Sequence, residues 1–399
     1  MKDGVYGSKD MELDRVTYLL PTYTRYRVAV LDEIYKRIGD GFTVITLRER
    51  SLIPEQVALY MGSFPRRIVR GRPLVFDKEF KAGKGNSARV LLTPEMPFIL
   101  NSLRPRLVIS EAFSTWTITA ALLNYPLVIY WEGTHYTERN IKPWKSFIRH
   151  LITKQTKAFL VNGYLSKKYL MEKFGVQEEC IFEGGLCSEP PPSQVITSVN
   201  RGRNAQSFAE PVKFIFCGQL VQRKGPEHLL QAVALLNKRE NLPRDFSILI
   251  LGDGSDRDAL KHRAEELGIA NKVAFRGFIQ PDCVWPYYAE SDVFVLPTLH
   301  DNWPLVVPEA MSMKLPVLLS RYAGNSYDLV REGENGFIFE PTDHARLADL
   351  MALYIEDVSL IEKHGKRSAE IVSRYNPASA ADVYLKAIDF AASRIEFKP

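Results

Sequence analysis

The C-terminal half of the chain alternates short apolar runs with segments in which apolar residues recur three and four positions apart. The first pattern predicts buried strands and the second predicts helices. The predicted strands are Lys213–Cys217, Phe246–Leu251, Val273–Arg276, Val293–Pro297, Pro316–Leu319 and Phe337–Phe339, and the predicted helices are Pro226–Asn237, Asp256–Leu267, Cys283–Glu290, Leu305–Met313, Tyr327–Arg331 and Asp343–Glu356. This alternation predicts a parallel, doubly wound sheet.

The N-terminal half repeats the alternation less regularly. Its predicted strands are Val16–Leu20, Phe42–Thr46, Leu107–Ser110, Leu127–Trp131 and Ala158–Asn162. We therefore expect an α/β protein with two Rossmann-like domains, over residues 1–190 and 213–376, that face each other across a cleft. Ligands of doubly wound domains bind at the carboxyl ends of the strands, so the cleft is the expected active site.

Two further segments complete this organisation. Residues 191–212 begin with two prolines and continue with Ser, Asn and Arg in no regular period, so we expect them to link the domains. Residues 378–399 show a helical pattern after Tyr375-Asn376-Pro377, where the proline favours a break in the chain. We expect this last helix to turn back and pack on the N-terminal domain.

The composition, 399 residues of which 46% are apolar and 25% charged, is that of a globular protein and excludes disordered and collagen-like chains. No apolar run reaches the ~18 residues of a membrane span. The N-terminus lacks the apolar core of a signal peptide, so we expect a cytoplasmic protein. Cys180, Cys187, Cys217 and Cys283 have no CxxC spacing, which predicts reduced, mostly buried thiols and no zinc site.

The formal charge of +5 is mild, but positive residues crowd one stretch of the N-terminal half. These residues are Arg66, Arg67, Arg70, Arg72, Lys78, Lys81, Lys84 and Arg89. A solvated loop and a surface for an anionic partner are both open interpretations. For such a partner, anionic lipid headgroups are favoured over nucleic acid, because no aromatic-interleaved RNA or DNA module is present.

Lys224 is the first candidate for chemistry. It lies in a glycine-bounded loop, Gly218-Gln-Leu-Val-Gln-Arg-Lys-Gly225, between a predicted strand and a predicted helix. A helix N-terminus beside an ammonium group suits a diphosphate and stabilises charge on a departing one. A merely solvated surface lysine is the alternative.

The second candidate segment is Asp301-Asn-Trp-Pro-Leu-Val-Val-Pro-Glu309, with Asp301 in a loop and Glu309 inside a helix. Pro304 suits the first turn of that helix, and the amides of Leu305 and Val306 would point towards a phosphate. Carboxylates bind vicinal hydroxyls, so one acid is expected to hold a sugar and the other a ribose. The alternative is a helix cap at Asp301 or Asn302 and an exposed Glu309.

At these residues the chain resembles glycosyltransferase family 4, a family of retaining enzymes with the GT-B fold. That family carries a Gly-Arg-Leu-x-x-x-Lys-Gly loop and a Glu-x7-Glu motif ending in Glu-Ala-Met, and this chain has a version of each in the same order. The resemblance continues through Leu249–Gly254, Val273–Phe278, Leu315–Ser320 and Asn335–Glu340, and it covers about residues 213–376.

The resemblance implies a donor site for a nucleotide sugar. Lys224 would bind the diphosphate, Glu309 the ribose, the backbone of Gly277 and Phe278 the base, and Asp301 the transferred sugar. The full set of expected donor-binding residues is Gly218, Gln219, Arg223, Lys224, Gly277, Phe278, Asp301, Asn302, Leu305, Val306 and Glu309. Lys224, Asp301 and Glu309 are also the expected catalytic residues, together with His135.

The chain departs from the family pattern at three of these positions. Gln219 replaces the usual Arg, which removes one cation from the diphosphate site unless Arg223 substitutes for it. Pro304 replaces the usual Gly and lacks an amide hydrogen. Asp301 replaces the usual Glu and preserves its charge.

In the N-terminal half the resemblance is confined to a Tyr/Arg-rich turn after the first strand, Leu20 to Leu31, and to a His after Trp131. Arg25 and Arg27 are candidates to face an anionic acceptor or the donor phosphates, and ordinary helix-start cations are the alternative. Glu111 and Glu132 are acceptor-side candidates, and we expect Glu111 to point into the cleft. His135 is the candidate for the family's His near the reaction centre, a surface His being the alternative.

Metal binding is not expected. Asp256-Arg-Asp258 spells a DxD pattern, but it opens a predicted helix, where acids offset the helix dipole. The resembled GT-B enzymes typically need no divalent ion, and no other cofactor is expected.

We therefore predict a retaining transferase that moves a hexosyl-type sugar from a nucleotide sugar, such as a UDP or GDP sugar, to a hydroxyl acceptor. Nucleotide-sugar epimerases, inverting GT-B transferases and a non-catalytic nucleotide-sugar-binding protein stay open. The acceptor is either a lipid-linked or polysaccharide intermediate or a soluble molecule. We expect peripheral contact with an anionic membrane through Trp144, Phe147 and Ile148, near Lys142, Lys145 and Arg149, and no nucleic-acid partner.

Overall fold

The computed structural model describes residues 15–21, 25–47, 62–69, 72–75, 89–188, 190–192 and 210–395, with the side chains of residues 25, 72–75 and 89–92 outside that description. Its N-terminal strands are β1 (Val16–Leu20), β2 (Phe42–Leu47), β3 (Arg66–Val69), β4 (Arg72–Val75), β5 (Arg89–Leu92), β6 (Leu107–Glu111), β7 (Leu127–Trp131), β8 (Thr156–Val161) and β9 (Ile181–Glu183). The helices among them are α1 (Arg25–Ile38), α2 (Met96–Leu103), α3 (Thr115–Leu122), α4 (Pro143–Gln155) and α5 (Tyr164–Phe174).

The N-terminal strands form a parallel sheet in the order β3-β2-β1-β6-β7-β8-β9, and β4 pairs with β5 as a separate antiparallel hairpin. Strands β1 and β7 are buried along their whole length, since helices cover both faces of the sheet. Their continuous apolar sequences match this position.

The C-terminal strands are β10 (Val212–Cys217), β11 (Phe246–Leu251), β12 (Val273–Gly277), β13 (Val293–Leu296), β14 (Val317–Ser320) and β15 (Gly336–Phe339). The remaining helices are α6 (Pro226–Asn237), α7 (Arg257–Glu266), α8 (Trp285–Ala289), α9 (Val306–Ser312), α10 (Ser326–Leu329), α11 (His344–Glu356), α12 (Ser359–Val372) and α13 (Pro377–Ser393). The sheet order is β12-β11-β10-β13-β14-β15, the Rossmann order, and all neighbours are parallel. The predicted α/β fold with two Rossmann-like domains is confirmed.

The structure describes the backbone of four of the eight residues in the basic stretch of the N-terminal half, so both interpretations of the stretch as a whole stay predictions. Arg66 and Arg67 lie in β3, while Arg72 and Arg89 lie in the strands of the hairpin. Arg67 Nη1 donates to Ser102 Oγ at 3.2 Å. The other four residues of that stretch, Arg70, Lys78, Lys81 and Lys84, lie outside the described residues.

The last helix, α13, packs on the N-terminal sheet. Asn376 caps its first turn, with its side chain accepting from the Ser379 amide at 3.0 Å. The buried side of α13 consists largely of small residues, which allow close approach to α1 and to the strands; it contains Ala380, Ala381, Tyr384, Ala387, Ile388 and Ala391. The helix therefore completes the core of the N-terminal domain.

A buried arginine holds α13 to the first turn of α1. Arg27 is 5% exposed, and its Nη1 donates to the hydroxyl oxygens of Tyr18 at 3.1 Å and Tyr384 at 3.3 Å. Its Nε lies 2.9 Å from Glu111 Oε1, and its Nη2 lies 3.0 Å from Glu132 Oε1. The guanidinium also lies 4.2 Å from the centre of the Tyr130 ring, a cation–π contact.

The two domains meet at the N-terminus of α5. Both carboxylate oxygens of Asp328, from the C-terminal domain, accept from the Tyr164 amide, at 3.0 and 3.2 Å. A Cβ on Gly163 would lie 2.4 Å from Asp328, so a side chain there would displace the carboxylate. The ring of Tyr164 packs against Tyr327 at 5.9 Å, so the contact includes apolar as well as polar atoms.

A second aromatic pair, Tyr136 and Tyr322, also joins the domains, with ring centres 4.6 Å apart. None of the described helices has the length and apolar character that crossing a membrane requires.

We predict that Arg27→Met costs roughly 3–5 kcal/mol of unfolding free energy, because it leaves the carboxylates of Glu111 and Glu132 without their buried cation. The matched control is Arg37→Met, which removes an exposed ion pair with Asp382, also between α1 and α13, and costs at most about 1 kcal/mol. Urea unfolding followed by tryptophan fluorescence measures both. Equal losses in the two variants would contradict the assignment of Arg27 as the buried anchor.

We also predict a pH dependence from Asp328. Burial raises the pKa of its carboxyl to about 6, and the Tyr164 amide offsets part of that rise. Because the folded protein then holds this proton more tightly than the unfolded chain, the contribution of Asp328 to stability falls as pH rises from about 4 to about 6. Between pH 4.5 and pH 7.5, urea unfolding should show that the parent loses more stability than Asp328→Asn does. Equal changes in unfolding free energy for the two proteins would contradict the prediction.

Candidate functional site

The expected donor-site residues lie where the C-terminal sheet changes its direction of strand addition. Strand β10 pairs with β13, but the chain leaves β10 towards β11 and leaves β13 towards β14. A crevice opens between two loops that diverge from adjacent strands, and this is the usual ligand position in doubly wound sheets. Lys224 follows β10 and Asp301 follows β13, so the structure brings the two motifs together.

The loop after β10 is fixed by close contacts between backbones. Gly218 donates its amide to the Leu251 carbonyl at 3.0 Å, and residues Gln222–Lys224 form a single 3₁₀ turn. Gly225 then adopts a φ of +70°, and a Cβ there would lie 2.0 Å from the Pro297 carbonyl oxygen. Only glycine fits this position, which holds Lys224 against the loop after β13.

Lys224 and Asp301 form an ion pair through Nζ and Oδ2, and their side chains are 12% and 14% exposed. Arg223 Nη1 lies 3.9 Å from the same carboxylate oxygen, and Arg223 Nη2 donates to Gln219 Oε1 at 2.8 Å. Sequence reasoning assigned Lys224 and Asp301 to different parts of a ligand and did not predict their contact. Gln219, which replaces a cation in the resembled family, positions Arg223 beside the site.

The loop that carries Asp301 is held from both sides. Thr298 Oγ1 donates to the Arg223 carbonyl at 2.9 Å, and the Asp301 amide donates to the Tyr322 carbonyl at 3.2 Å. Gly324 donates to the Asp301 carbonyl at 2.9 Å, and a Cβ on Gly324 would lie 1.6 Å from the Asn302 carbonyl oxygen. The carboxylate of Asp301 therefore has little freedom to move with its backbone.

Asn302 carries an unsatisfied atom in this loop. Its Oδ1 oxygen is buried and has no hydrogen-bond partner among the residues that the structure describes. A buried amide oxygen without a donor is costly, so a donor from outside the chain would stabilise it.

Glu309 lies in the first turn of α9, partly buried, and accepts from the Tyr288 hydroxyl at 3.2 Å on Oε2. The alternative prediction for Glu309, an exposed position on the helix, is therefore wrong. Helix α9 begins at Val306 with Leu305 as its N-cap, so Pro304 precedes the helix and does not lie in its first turn. The amides of Leu305 and Val306 belong to this helix start, where N–H groups lack intrahelical acceptors.

Gly277 and Phe278 lie at the end of β12, and Phe278 is 63% exposed. The Gly277 carbonyl accepts from the Gly252 amide at 2.8 Å, which fixes the strand end. A cavity of about 430 Å³ lies beside them, lined by Phe278, Ile279, Gln280, Cys283, Pro286, Tyr287 and Glu290. Cys283 is exposed, so the expectation of mostly buried thiols is wrong for this residue, while Cys187 is buried.

Sequence reasoning missed His300, which lies in the same crevice. Burial lowers the pKa of its imidazole, and the positive charges of Arg139 and Arg223 lower it further. Arg139 belongs to the N-terminal domain, so a cation from across the cleft reaches the donor-side loop. The only signal in the sequence was a His one residue before Asp301.

The acceptor-side candidates of the N-terminal domain form one cluster, but not an open anion site. Arg27 lies at the switch point of its sheet, between β1 and β6, and four of its five N–H groups donate to Glu111, Glu132 and two tyrosine hydroxyls. The expectation that Arg27 faces a ligand phosphate is wrong for this reason. Arg25 lies in α1, but its side chain lies outside the described residues.

Glu111 does not extend freely into the cleft as expected, because its carboxylate turns to Arg27 and Tyr18. Burial raises the pKa of Glu111 to about 7, and the Arg27 guanidinium offsets part of the rise. Glu132 is more open, with 32% of its side chain exposed. Of Arg27, Glu111 and Glu132, Glu132 is the best placed to contact a ligand.

His135 contacts only its own domain in the interactions that the described residues show. Its Nε2 lies 3.1 Å from Glu172 Oε2, and its ring meets the Tyr169 ring edge to face at 5.1 Å. With 41% of the side chain exposed, His135 is a surface residue of the loop after β7 that packs against α5, rather than a buried base.

The Asp256-Arg-Asp258 pattern opens α7 in the structure, with Asp256 as its N-cap residue. Within the described ranges, no three His, Cys, Asp or Glu side chains are grouped in a way that could hold a metal ion.

Known proteins resemble this chain most clearly over the C-terminal domain. The sequence model of the family "Glycosyl transferases group 1" matches residues 201–370. A lipopolysaccharide core biosynthesis glycosyltransferase of Rhizobium meliloti (strain 1021) is 31% identical over 192 residues, which are 48% of this chain and 53% of that protein. A sulfoquinovosyl transferase of Arabidopsis thaliana is 26% identical over 86% of this chain and 65% of its own length. The chain thus spans less than two thirds of either relative.

The crystal structure of Anabaena HepE in complex with UDP has the same fold over nearly the whole molecule. It superposes with a TM-score of 0.70 at 16% identity and covers 94% of this chain and 99% of its own. The two-domain arrangement is therefore the same as in HepE, and residues 201–370 carry the similarity to glycosyl transferases group 1.

Proposed function

We propose that this protein is a retaining glycosyltransferase that moves a hexosyl-type sugar from a nucleotide sugar to a hydroxyl acceptor. The observation that carries the proposal is the convergence of Lys224, Asp301 and Glu309 at one switch point. These three charged side chains come from two family-like motifs that are far apart in sequence. Close backbone contacts at glycines hold the loops of Lys224 and Asp301, and the Tyr288 hydroxyl donates to Glu309.

In this proposal the donor extends from β12 to the ion pair. The base lies against Gly277 and Phe278, next to the cavity of about 430 Å³, and the ribose hydroxyls bind Glu309. Lys224 binds the diphosphate, with Arg223 in place of the family cation that Gln219 replaces. The helix start at Leu305 and Val306 adds amide donors to the phosphates, without one from Pro304.

Asp301 and Asn302 hold the transferred sugar. The buried Asn302 oxygen without a partner in the described part of the chain accepts from a sugar hydroxyl. Asp301 already balances Lys224, so its carboxylate is fixed before the donor arrives. Fixed charges of this kind need no reorganisation during the reaction.

The transfer step is a front-side displacement. The bond between the anomeric carbon and the phosphate oxygen breaks, the acceptor oxygen bonds to the same face of that carbon, and the departing phosphate oxygen takes the acceptor proton. Lys224 and Arg223 stabilise the negative charge that develops on the diphosphate. The reaction then needs neither an enzyme nucleophile nor a metal ion.

The acceptor and location are proposed from the relatives. The Rhizobium protein is named for lipopolysaccharide core biosynthesis and the Arabidopsis protein for sulfoquinovosyl transfer, while the Anabaena structure contains UDP. These names support a UDP sugar as donor and a lipid-linked or polysaccharide intermediate as acceptor. We place the protein in the cytoplasm, in peripheral contact with the inner face of the membrane, and without a nucleic-acid partner.

We predict that Lys224→Met and Glu309→Gln each lower sugar transfer at least about 100-fold, since each removes a charge that the donor uses. Lys238→Met, an exposed lysine on the far end of α6, is the matched control and should transfer at the parent rate. Transfer is measured with the UDP sugar that most raises the melting temperature. Unchanged transfer in both variants would sink the proposal.

Product NMR separates the remaining alternatives in the same experiment. A retained anomeric configuration supports the proposed mechanism, whereas an inverted product indicates an inverting transferase. Conversion of the free donor to its epimer without an acceptor indicates an epimerase. Binding of the nucleotide sugar without turnover of any acceptor indicates a non-catalytic protein. Full activity in EDTA is expected.

The two glycines Gly225 and Gly268 provide a matched test of the phosphate loop. Both have positive φ, +70° and +68°, but a Cβ meets the Pro297 oxygen at Gly225 and nothing within 4 Å at Gly268. We expect Gly268→Ala to cost about 1 kcal/mol of stability and to leave donor affinity unchanged. Gly225→Ala should weaken donor binding at least about tenfold by calorimetry, since it shifts the loop that carries Lys224. Equal donor affinity in both variants would show that this loop does not bind the donor.

A further inference from the structure

One face of the N-terminal domain exposes large apolar side chains on three neighbouring helices. They are Phe98 on α2 and Leu122 on α3, both 77% exposed, and Trp144, Phe147 and Leu151 on α4, which are 58%, 63% and 45% exposed. Helix α2 contacts α3, and α3 contacts α4. The opposite sides of these helices contribute to one core against the sheet, so the exposed residues point away from it.

On α4 the exposed residues form a stripe. Trp144, Phe147 and Leu151 are spaced three and four residues apart, which places them on one side of the helix. Ile148, next to Trp144 on the helix surface, is partly buried against the core. Arg149 lies opposite the stripe, packs over the Trp131 ring at 4.9 Å and donates to Glu138 Oε2 at 2.6 Å. These contacts do not support the predicted membrane contact of Arg149, and that of Ile148 stays a prediction.

The charges on this face are mostly positive, with the exposed Glu95 at the N-cap of α2 as an acid beside it. Helices α2, α3 and α4 contain no Asp or Glu, while α4 carries Lys145, His150 and Lys154 and is preceded by Lys142. Lys142 and Lys154 are exposed, and Lys145 Nζ lies 5.6 Å from the centre of the Trp144 ring. Exposed aromatic and aliphatic residues interspersed with lysines are typical of surfaces that bind anionic lipid.

The same charges argue against a second copy of this chain as the occupant. A symmetric contact through α4 would bring Lys145 and Lys154 near the same residues of the other copy, and none of the three helices supplies an acid to neutralise them. Phosphate headgroups supply that negative charge in excess.

We propose that this face, Phe98, Leu122, Trp144, Phe147 and Leu151 with Lys142, Lys145 and Lys154, docks on an anionic phospholipid bilayer. Helix α4 follows the loop that leaves the carboxyl end of β7. Trp144, in the first turn of α4, therefore lies on the side of the domain where the strands end and the cleft opens. Docking therefore brings the bilayer surface beside the mouth of the cleft, where a lipid-linked acceptor enters. The inference rests on the proposed membrane contact but not on the transfer chemistry.

The test is cosedimentation of the full chain with vesicles of phosphatidylcholine, with and without phosphatidylglycerol, and without donor. The parent should bind the anionic vesicles preferentially. The variant Trp144→Ser/Phe147→Ser/Leu151→Ser should bind at least about tenfold more weakly. The matched control Leu235→Ser/Leu353→Ser removes exposed apolar residues of the C-terminal domain and should bind as the parent does.

A second pair of variants tests the charge. Each lysine removed in Lys145→Gln/Lys154→Gln should weaken binding to anionic vesicles about fivefold. The control Lys238→Gln/Lys261→Gln, from the C-terminal domain, should have no effect. Circular dichroism melting establishes that all variants fold.

Three outcomes would overturn the proposal. A parent that binds neither vesicle excludes membrane docking altogether, and with it the proposed membrane contact. A parent that binds equally well after the triple substitution docks through another surface. A parent oligomer that the triple substitution dissociates uses this face between copies. The vesicle experiment contains no donor, so its result does not depend on whether Lys224→Met loses sugar transfer. Membrane docking and sugar transfer can therefore be contradicted independently.

Discussion

Both domains depend on the same topological constraint, the single point in each parallel sheet at which strand addition reverses. At that point two neighbouring strands send their loops in opposite directions, and a crevice opens above the strand ends. In the C-terminal sheet the crevice lies between β10 and β13 and holds Lys224 and Asp301. In the N-terminal sheet it lies between β1 and β6 and holds Arg27 and Glu111. Each crevice thus contains an ion pair, with the cation and the carboxylate at or after the ends of the two strands that flank it.

The two crevices differ in what surrounds the ion pair. The C-terminal pair lies among backbone loops that pack against one another through glycines at Gly225 and Gly324, where any side chain would collide with a carbonyl oxygen. The N-terminal pair is enclosed by tyrosine side chains and by α13, which supplies Tyr384. The C-terminal ion pair adjoins the helix start at Leu305 and Val306, where amides without intrahelical acceptors can bind a ligand. The N-terminal pair is covered by α13 and ties it to α1, so it stabilises the fold.

These differences set what could be predicted from the sequence. The strands with continuous apolar sequence and the loop motifs around Lys224 and Glu309 are local patterns, and they predicted the fold and the donor-side residues. The role of Arg27 depends on partners up to 357 residues away, and no local pattern shows that Tyr384 returns to it. Strand β3 was missed because short, arginine-rich strands at a sheet edge lack the apolar signal of buried ones.

The cover of α13 over the N-terminal crevice also limits how an acceptor can bind. Since four of the five N–H groups of Arg27 donate to protein groups, a phosphate that replaced one of its carboxylate partners would break a buried ion pair, which costs several kcal/mol. In the proposed function the acceptor therefore binds groups that are more exposed than Arg27, such as Tyr136 and Tyr164 at the domain junction. These tyrosines offer hydrogen-bonding and stacking groups, and the positive charge of Arg139 lies near His300 across the cleft. Under that proposal the acceptor hydroxyls bind at the junction, while an anionic headgroup stays at the bilayer surface near Lys142 and Lys145.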